Sequence, residues 1–271
     1  MSDDNLVLVS NALEKIKYEK EGELPPEFLK KFVGNLERVA RLDKFDRQHF
    51  LKYLAAHEPR AFYDMLLARV RKGLVEGADK IYFLPISYHP EYVLVKLPDT
   101  PGYEALAYAL FAELRASPEK HRHHWQQLFQ IAVLRVSPLG PVLIREWVNE
   151  VNSTTDLESL IETLKFDGSR FIFTDPELTR KILQLIPRFA LGDMERLIWD
   201  LGQTASPQMR GFTNHELNPE HRYYREEAAK AAAVHATDPD LGPFYREIVK
   251  AEDGDAARNR RWAELQLSDW S

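Results

Sequence analysis

The sequence predicts an all-α fold, an irregular array of antiparallel helix pairs with room for one short β element near residues 80–97. Three observations carry that expectation. The phrase Pro-Glu recurs five times as helix punctuation, apolar residues follow it at steps of three and four, and alternating β-type runs are almost absent. Proline at the first helical position has the right φ and gives up an amide hydrogen that would be unpaired there. The glutamate beside it favours the positive end of the helix dipole.

In chain order, helices are expected from Asn5 to Lys20, Glu27 to Ala40 and Arg47 to Ala56. After Pro59 the set Phe62, Met65, Leu66, Val70 and Leu74 marks one face of a fourth. "KIYFLPISYHPEYVLVKLPDTP" (80–101) has β-branched and aromatic runs, yet Pro85, Pro90, Pro98 and Pro101 interrupt any central strand. That stretch reads as a loop with a short helix after Pro90, dividing an N-terminal helical group (1–79) from a C-terminal helical region (102–271), unless the two are one continuous domain. "EALAYALFAEL" (104–114) and "WQQLFQIAVLRV" (125–136) are apolar on nearly every side and are expected to be covered on both flanks.

Further helices are expected at 142–151, 156–164 and, after Pro176, on the face of Leu178, Ile182, Leu183, Leu185 and Ile186. The rest fall at 193–201, 220–235, 244–250 and 256–267, with Asp253 and Asp255 in a glycine-containing turn that caps the last. Ser117, Asp175 and Asn218 stand where N-caps belong. The Pro-Glu phrases fall at uneven intervals, so no strict repeat of fixed length is present. Loose HEAT-like pairs fit the pattern, with an irregular bundle as the alternative.

Composition narrows the function classes. Over 271 residues, 44% hydrophobic and 29% charged residues are ordinary globular values. A net charge of −6 argues against nucleic acid as the partner. The basic clusters "RVRK" (Arg69 to Lys72) and "RNRR" (Arg258 to Arg261) read as solvated helix turns. The absence of cysteine removes disulfides, thiolate metal sites and cysteine nucleophiles. The opening residues lack a secretory signal pattern, and no stretch is long and apolar enough to cross a membrane. The cytoplasm is the expected compartment.

Motifs that would carry chemistry are missing. Gly73 and Gly77 are not followed by the Gly-Lys-Ser/Thr ending of a phosphate-binding loop. No dinucleotide fingerprint, nucleophile elbow or kinase triplet occurs. "HRHHW" offers His121 and His124 three apart on a helix, a weak metal candidate, because Lys120 and Arg122 add like charge beside it and no acid stands at ligand spacing. The preferred reading is a polar helix start ahead of a core Trp125. In "AHEP", Pro59 and Ala61 stand where a zincin helix must continue, and "PDTPGYE" has Leu106 where a nuclease needs lysine. No catalytic residue, metal or cofactor is therefore expected.

"TNHELNPEHRYYREE" (213–227) is the densest polar cluster. Asn218 and Pro219 open a helix on which Tyr224, Ala228, Ala231, Ala232 and His235 share a face against a neighbour. The polar run before the cap is more than a scaffold needs, and Arg210, Asn214 and His215, with His221 and Arg225, are the candidate partner-binding residues.

The run "RGFTNHELNPEHRYYREEAAKAAAVHATDPDLGPFYREIVK" (210–250), and more loosely "SRFIFTDPELTRKIL" (169–183), resembles helical segments in the C-terminal repeat regions of bacterial STAND-type NTPases. In that family the repeats are the sensor beside a separate ATPase. The resemblance implies a sensor or interaction module that binds a protein or peptide partner, in bacterial defence signalling by analogy, with no NTPase of its own. The alternative is an enzyme of unfamiliar type whose histidines (His121, His124, His215) and an acid meet only in the fold.

Overall fold

A computed structural model describes residues 57–76, 97–99, 102–117, 119–134, 136–164, 171–190, 192–202 and 219–268, with Glu27, Leu36 and Leu54 as single positions. Side chains are described throughout these except at 73–76, 119–121, 219–222 and 255–268. Helix accounts for 87% of the described residues, and none is in a strand. The chain divides into two compact units, Met1–Pro141 and Val142–Ser271. Most of the expected β element, 80–96, and most of the three N-terminal helices lie outside the described residues. Leu97 itself opens a short 3-10 turn, Leu97–Asp99.

In the first unit, α1 (Pro59–Glu76) begins at the proline that the sequence marks. Phe62, Met65, Leu66 and Val70 form its buried face, as their spacing requires. Arg69 belongs to the same face and corrects the reading of "RVRK" as a solvated turn. It is 0% exposed, and its guanidinium donates to the Leu36 carbonyl oxygen at 2.7 Å. Arg71, on the wet side, pairs with Glu113 at 2.5 Å.

α2 (Tyr103–Ala116) follows Gly102, whose φ of 81° is a left-handed conformation that glycine adopts without steric cost. Its buried face is Tyr103, Leu106, Ala107, Leu110, Phe111 and Leu114. The opposite side is Ala105, Tyr108, Ala109 and Ala112, all exposed, so α2 is covered on one flank rather than two. Alanine favours helix without requiring burial, and composition alone overstated the coverage.

α3 (Glu119–Phe129) continues into a π-helical turn, Gln130–Leu134. A π turn shifts the backbone pairing out of α register, and the Tyr103 hydroxyl donates to the Ala132 carbonyl there at 2.7 Å. Burial pushes the Tyr103 phenol up from its ordinary value. Tyr63 on α1 likewise donates to the Leu106 carbonyl of α2, at 2.9 Å. Trp125 is 2% exposed, a core tryptophan as expected.

In the second unit α4 (Leu139–Glu150) buries Leu143, Ile144, Trp147 and Val148. α5 (Thr154–Leu164) is capped by Ser153, whose hydroxyl oxygen accepts from the Asp156 amide at 3.2 Å. Asp156 in turn accepts from the Trp147 indole at 2.7 Å. A single turn, α6 (Phe171–Thr174), leads into α7 (Pro176–Phe189) through Asp175. The Asp175 carboxylate accepts from the Leu178 amide at 3.1 Å, the cap that the sequence indicates. Its other oxygen accepts from Arg145 on α4.

α8 (Met194–Gly202), α9 (Pro219–Val234) and α10 (Leu241–Ser268) complete the described helices. α9 and α10 form a hairpin closed by the turn at 235–240. Tyr224 and Ala228 are buried and Ala231, Ala232 and His235 half-buried, so the expected face packs. The expected break at 253–255 does not occur: Gly254 sits inside α10. One helix-interior glycine costs about 1 kcal/mol, a modest term for a helix with a long packed neighbour. Asp253 is consequently not a cap; it accepts from Arg225 of α9 at 2.6 Å.

Candidate functional site

Helical periodicity puts Glu195, Ile198, Trp199 and Gly202 on one stripe of α8, at steps of three, one and three. The same rule puts Phe244, Glu247, Ile248, Ala251 and Glu252 on one stripe of α10. These two stripes face a shared groove of about 390 Å³ with Tyr224 of α9 in its wall. That is within the range of small-molecule and side-chain pockets, roughly 300–1,000 Å³.

The floor is rigid. Phe244, Ile248, Tyr224 and Gly202 are buried. The Tyr224 hydroxyl donates to the carbonyl of Gly202, tying α9 to the end of α8. Behind Tyr224 the Phe173 ring meets it edge-on at 5.5 Å and stacks on Tyr245 at 6.0 Å. Tyr245 donates to the Ile172 carbonyl, and burial pushes its phenol up to about 12. The His235 ring also lies near Tyr245, with centroids 5.9 Å apart.

The rim differs in kind. Trp199 is 48% exposed, one of the few large hydrophobic side chains open to solvent among the described residues. Glu195 and Glu247 are exposed beside it, and Glu252 is 4% exposed within the wall. Among the described residues no lysine, arginine or histidine lines the groove. Arg196 pairs with Glu158 and stands near Asp193 and Asp200, while Arg225 holds Asp253. Lys250 approaches Glu247 at 3.4 Å, both largely in water. The groove is thus apolar at its base and acidic at its mouth.

Arg210, Asn214 and His215 lie outside the described residues, and His221 falls on α9 at a position whose side chain is not described. Arg225 is the described member of that group, and its guanidinium is engaged by the Asp253 carboxylate. His124 is 8% exposed, with its ring 5.9 Å from that of His123, and the His123 ring nitrogen lies 2.9 Å from the Gln127 amide. The side chain of His121 is not described. Among the described residues no group of three or more acids and histidines is close enough to hold a metal ion. Arg258 to Arg261 lie on α10 beyond the described side chains.

No family model matches the chain, and neither a curated protein nor a solved structure matches it. Among the described residues no helix is long and apolar enough to cross a membrane. The groove's own geometry therefore carries the functional reading. Sequence reasoning missed Trp199 and Glu252, although signals for both were present. Trp199 stands off the Leu197–Leu201 face of its helix, and Glu252 continues the buried series Leu241, Tyr245 and Ile248 at the next helical step.

Proposed function

We propose that this protein is a non-catalytic helical interaction module, with the α8–α10 groove holding a peptide segment of a protein partner. The observation that carries this is Trp199, 48% exposed above an apolar floor. Water beside a half-exposed indole and an apolar groove is released when a complementary side chain enters, and tryptophan is among the residues that most often dominate such interfaces. An apolar groove lined by helix stripes is also a geometry that receives a peptide segment. Glu195 and Glu247 at the mouth provide a polar rim.

The likeness of 210–250 to STAND sensor segments supports a sensing role beside a separately encoded effector, and the cysteine-free composition supports a cytoplasmic setting. A randomised peptide display library selected on the immobilised full chain tests the reading. Selected peptides are expected to bind Trp199→Ala at least about tenfold more weakly, roughly 1.4 kcal/mol. Selection that yields no binder, or binders indifferent to Trp199, removes the groove as the docking site.

A further inference from the structure

One stripe of α10 carries two different patches. Phe244, Glu247, Ile248 and Ala251, in the first half of the helix, line the groove. Continued at steps of three and four, the same stripe reaches Asp255, Arg258, Trp262 and Leu265 in the second half. Near its middle stand Ala251 and Gly254, small residues that let two helices cross closely. One end of the stripe thus joins apolar residues to an acid, and the other joins them to a base.

The charges of the two ends are complementary. Glu195 on α8 and Glu247 on α10 are exposed at the mouth of the groove. Residues 256–267 hold Arg258, Arg260 and Arg261 against a single acid, Glu264. A molecule cannot bring its own basic end to its own groove, because α10 is one unbroken helix from Leu241 to Ser268. At 1.5 Å per residue, Arg261 stands roughly 20 Å along the axis from Ile248. The basic end of one molecule can meet only the acidic mouth of another.

We infer that the occupant of the groove is the second half of α10 from a second copy of this chain, the two α10 helices running antiparallel about a two-fold axis. This rests on the groove being the docking site and names its partner. With the axis between Glu252 and Asp253, Glu247 of each copy comes level with Arg258 of the other, and Ala251 with Gly254. Trp262 comes level, to within one residue, with Phe244 in the floor. Such a pairing is isologous: a single contact made twice, which closes at a dimer and does not grow into a fibre.

Light scattering on the full chain reads the association. Wild type is expected to pass from monomer to dimer between about 1 and 100 µM, the affinity of a modest interface. Two charge reversals test the face: Glu195→Arg with Glu247→Arg at the groove, and Arg258→Glu with Arg261→Glu at the helix end. Each should weaken self-association at least about a hundredfold, because like charges then meet at both contacts. Mixed in equal amounts, the two variants should form a heterodimer, since reversed groove meets reversed end at one contact and the unaltered pair meets at the other. The milder Glu195→Gln, Glu247→Gln variant should weaken the dimer by about tenfold and gives a reading that does not depend on reversed charge.

A wild type that stays monomeric, while selected peptides still require Trp199, overturns the second copy and leaves the groove as a peptide site. A dimer that survives both reversals, or folded variants that stay monomeric when mixed, places self-association elsewhere and overturns the inference. Selected peptides that ignore Trp199 sink the groove itself.

Discussion

Arg180 of α7 reaches the head of α10, where its guanidinium donates to one oxygen of Asp238 at 2.7 Å and 3.1 Å. The other oxygen of Asp238 accepts from the amides of Leu241 at 2.8 Å and Asp240 at 3.0 Å. One carboxylate thus caps a helix and anchors it to another. Asp175 does the same at the head of α7, with Leu178 and Arg145 as its partners. The two caps share a local phrase, Thr-Asp-Pro-acid-Leu, at 174–178 and 237–241.

The pH dependence follows from these contacts. The Leu241 amide first, and then Arg180, hold the Asp238 carboxyl below its ordinary value of 3.8. Arg225 does the same for Asp253. Groups with depressed folded pKa values leave the folded state with fewer bound protons than the unfolded one across the acid range. Their stabilisation is complete above the unfolded aspartate pKa and is lost as pH falls through the folded one. Melting temperature should therefore drop as the solution is taken below about pH 4. Asp238→Asn should melt lower than wild type at neutral pH, with the gap closing at acid pH. A gap that stays constant assigns the effect to packing rather than to charge.

Glycine substitutions should act in opposite directions along α10. A Cβ on Gly242 would lie 2.7 Å from the His235 carbonyl oxygen and 3.3 Å from that of Ala236. Backbone cannot move aside cheaply, so Gly242→Ala should destabilise by about 1–3 kcal/mol. Gly254, inside the same helix, has nothing within 4 Å of such an atom. Gly254→Ala should stabilise by up to about 1 kcal/mol through lower unfolded-state entropy and better helix propensity. Urea unfolding midpoints decide both, and a destabilising Gly254→Ala would contradict an unbroken α10.

Arg69 is a cation in the core of the first unit. Its guanidinium has the Leu36 carbonyl within 2.7 Å, and none of its surface is exposed. Arg69→Ala leaves that carbonyl short of a donor and opens a cavity where the stem stood; a loss of about 3 kcal/mol or more is expected. Arg69→Met keeps much of the stem volume and should lose less. Chemical denaturation of the two variants separates the packing contribution from the polar one. Equal losses would place the whole effect in the hydrogen bonding of the head group.

Local chemistry made part of this fold readable. The Asp175 cap and the Pro176 and Pro219 starts depend on a few adjacent residues, and the Tyr224–Ala228 face depends on one helix's period. Arg69 was misread because charge was weighed above register, although it falls between Leu66 and Val70 on the buried stripe. The α10 break was misread because a Gly flanked by aspartates is a good turn locally, and only packing against α9 decides otherwise. The groove was hidden for a different reason. Glu252 and Trp199 are far apart in sequence, and nothing in either helix says that the two stripes will share a space. A buried acid on an apolar stripe and an aromatic off one are visible singly; their meeting is tertiary.

Stability and recognition should separate at the groove. Tyr224 is 2% exposed and its hydroxyl donates to the Gly202 carbonyl, so Tyr224→Phe removes a buried hydrogen bond and should cost about 1–2 kcal/mol. Trp199 is 48% exposed, and Trp199→Ala should cost no more than about 1 kcal/mol because only part of the ring leaves an apolar contact. In peptide binding the order reverses. Trp199→Ala takes away the open aromatic face, whereas Tyr224→Phe leaves the wall of the groove the same shape. Thermal unfolding and peptide titration of both variants test this crossing of effects. If Trp199→Ala unfolds the protein as readily as Tyr224→Phe does, the indole is a structural plug for the α8–α10 seam and not a surface kept open for a partner.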